Sequence, residues 1–265
     1  MSTAPGRTRG SVVPALSRTE GWKLVSHPIF LVGVAMPLLG SAVFVGSIIN
    51  GSAVSWEEDG WMAAVGVLML GIMTMVATNN AALRDRRSHT AEQHASLPVR
   101  PPIRTSGLLA ATLWPTCVAA LLLASVVVIG ALQDLTPSGI ELIHLIGFVV
   151  SVLLLGAIGI ALAAWAPSPF VAPVVAWFVL FVTPGETPAA WHSLIPWETV
   201  GETDLAVWHL VYVFGLTAVV AVIALAKTAR TRSLLVPALI SVAIVVTAGV
   251  VLLDRTCPVG GVCLL

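Results

Sequence analysis

The chain has 265 residues, of which 57% are hydrophobic and only 10% charged, with a net charge of zero and a mean hydropathy of +0.98. Soluble domains carry about 25% charged residues, so this composition belongs to the membrane class and excludes an ordinary soluble enzyme. Zero net charge also argues against a dedicated nucleic-acid binder.

Residues 1–13 are rich in Ser, Thr, Pro, Gly and Arg and read as a disordered tail. Ser17 to Glu20 fits a capping box, in which the Ser hydroxyl and the Glu carboxylate each satisfy a free backbone N–H. A short helix is expected from there to about Ser26, with Trp22 at headgroup level and Arg18 and Lys23 favouring anionic lipid. The other reading of these residues is the charged flank of a membrane helix. Pro28 then suits the first turn of the first span.

Seven apolar runs follow, at 28–49, 61–79, 107–132, 140–166, 170–184, 206–226 and 233–253. Runs of about 20 residues cross a hydrocarbon core of roughly 30 Å as helices. The fifth run is short: its 15 residues would cover roughly 22 Å, and prolines bracket it at 167, 169, 173 and 184. One of the seven can therefore be less than a full crossing. The fold class expected is all-α, a polytopic membrane protein of six to seven spans with an N-terminal interfacial helix. Its organisation is a tail and interfacial helix over 1–27, a transmembrane domain over 28–253 and a short outer tail over 254–265.

Charge assigns the sides. Segments 1–27, 80–106 and 227–232 hold every Lys and Arg except Arg255, whereas 50–60, 133–141, 185–205 and 254–265 hold ten of the thirteen acidic residues. The positive-inside rule makes the basic face cytoplasmic, and the N-terminus with it.

The basic loop over 80–106 is punctuated. Thr90 to Gln93 is a second capping-box pattern, Pro98 would end a helix begun there, and Pro101 and Pro102 stiffen the return to a third span that Ser106 could cap. This reads either as a short rigid helix over 88–98 or as a solvated basic loop that only orients the protein. On the other face, Trp191, Leu194, Ile195 and Trp197 within 185–205 suit a hairpin dipping into the outer leaflet, or simple interfacial anchoring by the tryptophans. Non-helical backbone at such a depth must be buried in protein or face water.

Three cysteines occur. Cys117 sits inside the third span as a small apolar residue. Cys257 and Cys263, separated by five residues of which two are glycines, can close a structural disulfide on an outer face. Two thiols alone make a poor metal site.

Absent chemistry narrows the function. There is no P-loop, no His-Glu-x-x-His and no Gly-x-Ser-x-Gly. The centres of the spans contain no Asp, Glu, Lys or Arg, the residues that ordinarily mark ion or proton pathways. His144 and His209 fall near outer helix ends and read as interfacial. Glu57, Glu58 and Asp59 read as a solvated turn. Ala42 with Gly46, and Gly147 with Ser151, offer small-residue spacings for helix contact.

The stretch from Glu20 through Lys23 to His27 and Pro28, together with Arg86, Arg87, Thr90, Glu92, Leu97, Pro98 and Val99, resembles the permease subunits of ATP-binding-cassette exporters that handle drugs, polysaccharides, lipids and peptides. Ser88 and His89 stand where that family usually has Gly. The resemblance implies that Arg86, Arg87, Thr90, Glu92, Leu97 and Pro98 belong to a coupling loop seated in a cleft of a separate P-loop ATPase. It implies that ATP and Mg are held by that partner and none by this chain, and that a second permease completes a homo- or heterodimer. It further implies six spans with a dipping hairpin before the sixth, and export of an amphipathic or apolar substrate across the cell membrane. An ATPase-independent channel or carrier, and an anchor or assembly subunit, are the alternatives. A membrane enzyme would need polar residues clustered at one depth, which the spans lack.

Overall fold

The structure, a computed structural model, describes residues 12–51, 56, 61–87, 101–182, 194–196, 203–229 and 234–256. Among them are the helices α1 (Val12–Val25), α2 (Pro28–Ile49), α3 (Trp61–Arg87), α4 (Pro101–Ala111), α5 (Leu113–Ala131), α6 (Gly139–Trp165), α7 (Val171–Val182), α8 (Thr203–Ala226) and α9 (Leu235–Thr256), and no strand. Six stretches are long and apolar enough to cross a membrane: Pro28–Ile49, Met62–Arg84, Pro101–Ala131, Gly139–Trp165, Asp204–Ala226 and Leu235–Arg255. The protein is thus an all-α polytopic membrane protein.

Several expected boundaries move. α1 begins at Val12, so Ser17 and Glu20 lie within the helix and do not cap it. Apolar Val12, Val13 and Leu16 extend the helix upstream, and Pro14 is tolerated in a first turn whose N–H groups have no helical partner. A capping box does form at Ser138, whose hydroxyl accepts from Glu141 N while the Glu141 carboxylate accepts from Ser138 N. There Pro137 precedes the cap and disfavours helix upstream. The third crossing starts with Pro101 at its first position, leaving Ser106 in the helix interior. It is interrupted at Thr112, three residues before Pro115. Proline lacks the N–H that would bond Ala111 O and crowds that carbonyl. The Thr112 hydroxyl turns instead to Leu109 O at 2.6 Å.

α3 and α6 are the most buried helices and form the centre. They run parallel: Gly71 lies against Val152 and Leu155, and further along Gly159 lies against Met75. Thr78 Oγ1 stands 3.0 Å from both Met75 O and Gly156 O, sharing one hydrogen between helices. A Cβ at Gly159 would collide with the Met75 carbonyl and the Thr78 hydroxyl, so only glycine allows this approach. On the other side of α3, α2 buries a single stripe, Phe30, Gly33, Pro37, Gly40 and Phe44. It runs antiparallel, with Gly33 against Met73 and Gly40 against Met62. The small-residue contacts expected at Gly46 and Gly147 do not form, since no atom would lie within 4 Å of a Cβ at either position.

α6 and α8 also run parallel. His144 and Gly147 share a cleft with Ala206 and His209 near their starts, and Trp165 Nε1 donates to Ile223 O at 2.9 Å near their ends. The chain between Trp165 and Thr203 must therefore return from one end of the bundle to the other. α7 supplies part of this passage: Asn79 Nδ2 donates to Ser168 O at its start, and Ala172 and Ala176 pack on Ile72, Met75 and Leu155. Its 12 residues span only about 18 Å, so the fifth run makes a helix shorter than a bilayer core. Among the described residues the fold thus has six long apolar helices, with α7 a shorter one between the fourth and fifth of them. α9 packs antiparallel on α8, with Gly215 against Val245 and Arg255 3.9 Å from Asp204.

Candidate functional site at the elbow end

α1 lies across the end of the bundle where α3 finishes and α4 begins, and we call this the elbow end. Its inner side is made of Leu16, Gly21 and Leu24. Leu16 covers Gly107 of α4, and the Trp114 indole lies directly on Gly21, where any side chain would strike the ring. Leu24 is buried in the main core. Pro14, Ala15, Arg18, Thr19, Trp22 and Lys23 are all exposed on the opposite side. Trp22 is 68% exposed, the placement expected of a ring that sits among headgroups.

Glu20 stands between these two faces. Its carboxylate is 2.8 Å from Lys23 Nζ on the same helix and 3.7 Å from Arg84 on α3, and Arg104 of α4 lies within its electrostatic reach. Arg84 and Arg104 flank the 88–100 segment on either side. One carboxylate on α1 therefore pairs with the α3 root of the basic loop, and its charge is felt by Arg104 on the α4 root. The side chains are about half exposed at Lys23 and Arg84, so each pair alone contributes roughly 0–1 kcal/mol.

The turn from α1 into α2 is part of the same site. His27 caps α2: its Nδ1 accepts from Ile29 N at 3.3 Å, with Pro28 at the first helical position as expected. An imidazole can accept at Nδ1 only when neutral. Burial, and secondarily the Arg84 guanidinium, hold His27 below its ordinary pKa and keep it in that form.

Of the residues expected in the loop, Arg86 and Arg87 fall on the last turn of α3, because that helix runs eight residues beyond the expected 79. Thr90, Glu92, Leu97 and Pro98 lie outside the described residues, as do Cys257 and Cys263. Sequence reasoning assigned Glu20 to a cap and passed over Arg84 and Arg104. A signal was present: Glu20, Asp85 and Glu92 are the three acidic residues on the basic side, and an isolated acid among cations calls for a partner.

At the far end, His209 is buried and its Nε2 lies 3.0 Å from Ile195 O, so it is a structural pin, not the interfacial residue expected. Ser151 Oγ, also buried, lies 3.0 Å from Pro196 O. Ser151 is twelve residues into α6, about 18 Å along it. The Ile195 and Pro196 carbonyls of the stretch 194–196 thus meet protein groups within the bundle, the condition for irregular backbone at such depth. The cleft beside it has a volume of about 10 Å³, enough for one water. No group of three or more His, Cys, Asp or Glu among the described residues is placed to hold a metal.

No family model, curated protein or solved structure matches the chain. Its function is therefore argued from its own residues. Cys117 is exposed on α5 and is not paired. The described clefts bring together no nucleophile with a base. What the elbow end does offer is mechanical: a surface helix packed on the two long helices that flank the basic loop, by an ion pair on α3 and by Leu16 over Gly107 on α4.

Proposed function

We propose that this chain is the transmembrane permease subunit of an ATP-binding-cassette exporter, moving an amphipathic or apolar substrate with energy from a separate P-loop ATPase. The observation that carries this reading is that α1 is tied to both roots of the basic loop, to α3 by the Glu20–Arg84 ion pair at 3.7 Å and to α4 by Leu16 over Gly107. A loop anchored at both roots passes a push on to α3 and α4, whereas a free connector would absorb it. The interruption of the helix at Thr112, ahead of Pro115, gives the third crossing a place to bend. The family resemblance of Arg86, Arg87, Thr90, Glu92, Leu97 and Pro98 supplies the rest: the loop seats on the ATPase, on the cytoplasmic face of the cell membrane, and two permeases pair around the substrate path.

Purification of the tagged protein from its native membranes in mild detergent, with mass spectrometry of the co-purifying chains, tests the proposal. A stoichiometric P-loop ATPase is expected, lost when Arg86→Glu and Arg87→Glu are combined. Recovery of the protein alone, under conditions that preserve other such complexes, would overturn the reading in favour of a self-contained channel or carrier.

A further inference from the structure

Among the described residues, one buried side-chain polar atom has no hydrogen-bond partner, Oδ1 of Asn79 on α3. The residue is fully buried, at 0% exposure. Buried polar groups in folded proteins are almost always paired, and a bare acceptor inside a membrane bundle is costly because no bulk water reaches it. Turning the amide over offers no remedy. Nδ2 donates to Ser168 O at 3.2 Å, and a reversed amide would set oxygen against that carbonyl, acceptor against acceptor. The neighbouring Thr78 hydroxyl offers none either, since its hydrogen is shared between Met75 O and Gly156 O.

The bond to Ser168 O places this amide at the turn from α6 into α7. Ser168 Oγ accepts from Phe170 N at 3.3 Å, and α7 begins at Val171. The first N–H groups of a helix have no carbonyl one turn earlier to bond. Here they belong to Val171 and Ala172, because Pro173 has no N–H, and Ala172 is itself fully buried. Donors that α7 leaves open and an acceptor that α3 leaves open thus meet at one turn, yet Asn79 Oδ1 receives neither N–H directly. An occupant that joins them must both donate and accept. A cation would face the positive end of the α7 dipole, and an anion would face the Asn79 oxygen. Water does both, and the two to four polar partners it needs are Asn79 Oδ1, the α7 N–H groups and the second lone pair of Ser168 O. Its route is short: Asn79 lies five residues before Arg84, about 8 Å along α3 from the elbow end.

We infer that Asn79 holds one ordered water molecule that bridges α3 to the start of α7. The inference does not depend on an ATPase partner. The water completes the hydrogen bonding of the joint, and it fastens the short α7 to the α3–α6 centre by a polar link in addition to the packing of Ala172 and Ala176.

X-ray radiolysis of the full-length protein in lipid nanodiscs tests this, because a hydroxyl radical formed from a bound water oxidises the side chain beside it. Met75 is the reporter: it is fully buried, lies one turn from Asn79 on α3 and packs with Ala172. Peptide mass spectrometry should find Met75 oxidised in the native chain. In Asn79→Leu, which removes the acceptor, its oxidation should fall to the level of the unirradiated sample. Misfolding would expose Met75 and raise its oxidation, so a fall cannot come from disruption. Asn79→Asp keeps an acceptor and should retain the signal. Met75 left unoxidised in the native chain would overturn the site, as would oxidation that persists in a folded Asn79→Leu protein. A high-resolution density map of the native chain decides the point if Asn79→Leu does not fold: a peak within hydrogen-bond distance of both Asn79 Oδ1 and the α7 N–H groups is expected. An empty position, or a peak ringed by carbonyl oxygens as a cation would be, would overturn the assignment to water.

Discussion

The α3–α6 seam and the elbow cluster both join helices, and they do so by opposite physics. At the seam, Gly71 and Gly159 let two backbones approach until a Thr78 hydroxyl on one helix reaches a carbonyl on the other. Within a membrane no hydrophobic force drives helices together, so this contact rests on close packing and a shared hydrogen bond. It is buried, short-ranged and intolerant of change. At the elbow, Glu20 meets its cations at 2.8 and 3.7 Å with side chains partly in solvent. Those contacts are more exposed, weaker and able to re-form in another geometry. The bundle therefore has a stiff centre and a more adjustable elbow, a division that suits the proposed role in transmitting force.

The largest effect should come from giving the seam one methyl group. Gly159→Ala places a Cβ on the Met75 carbonyl and the Thr78 hydroxyl, both part of α3 and unable to move aside cheaply. Overpacking of this kind costs about 1–3 kcal/mol. Gly147→Ala, on the same helix but facing open space, should instead be neutral or raise stability by up to about 1 kcal/mol through helix propensity. Thermal unfolding of both variants in one detergent checks the pair. If the two glycines behave alike, the seam is not the rigid element described.

How much of this contrast is legible in the sequence follows from what apolar sequence can encode. Run lengths locate the six long helices, and the short fifth run flanked by Pro167, Pro169, Pro173 and Pro184 signals the incomplete α7. Which glycines lie at an interface is not legible. Helices such as α6 are apolar on every side, so nothing in their composition distinguishes Gly147 from Gly159. For that reason the small-residue spacings at Ala42 with Gly46 and at Gly147 with Ser151 singled out Gly46 and Gly147, where a Cβ would meet no neighbour. Ser151 is nevertheless a contact residue through its hydroxyl and the Pro196 carbonyl, a long-range partner that no local pattern announces. At the elbow, the pattern from Ser17 to Glu20 resembles a cap only when the upstream Val12, Val13 and Leu16 are left out. Once the helix runs through them, Glu20 is left free to face Arg84. Serine and glutamate three apart cap a helix at Ser138 because Pro137 stops the chain from being helical before it.

A smaller and more selective effect is expected from Glu20→Gln. Removing one carboxylate from a half-exposed cluster should change stability by no more than about 1 kcal/mol. The consequence belongs to transmission: Lys23, Arg84 and Arg104 then repel one another across the roots of the loop. In the proposed complex, Glu20→Gln should keep the ATPase bound and lower the transport obtained per ATP. Glu20→Asp should restore part of it. Assays of ATP hydrolysis and substrate movement on the same reconstituted sample separate the two quantities. Normal coupling in Glu20→Gln would show that the elbow cluster is only a structural tie.

The smallest effect concerns His27, where the elbow passes into α2. Its neutral Nδ1 accepts from Ile29 N, and its pKa is lowered by burial first and by Arg84 second. In the unfolded chain the imidazole takes up a proton near pH 6.5, whereas in the folded protein it does so only at lower pH. Between those values the unfolded state binds more protons, so stability falls as pH drops below about 6.5 and levels off once the folded form is also protonated. His27→Asn keeps an acceptor at the cap without a titrating group. It should flatten this part of the pH profile while leaving stability at pH 8 nearly unchanged. Glu20→Gln should sharpen the same slope, because Arg84 would then act on His27 without the carboxylate that faces it. Unfolding curves taken across pH 5–8 for the native chain and both variants decide the point: a slope that survives His27→Asn would place the titrating group elsewhere and detach the cap from the elbow's electrostatics.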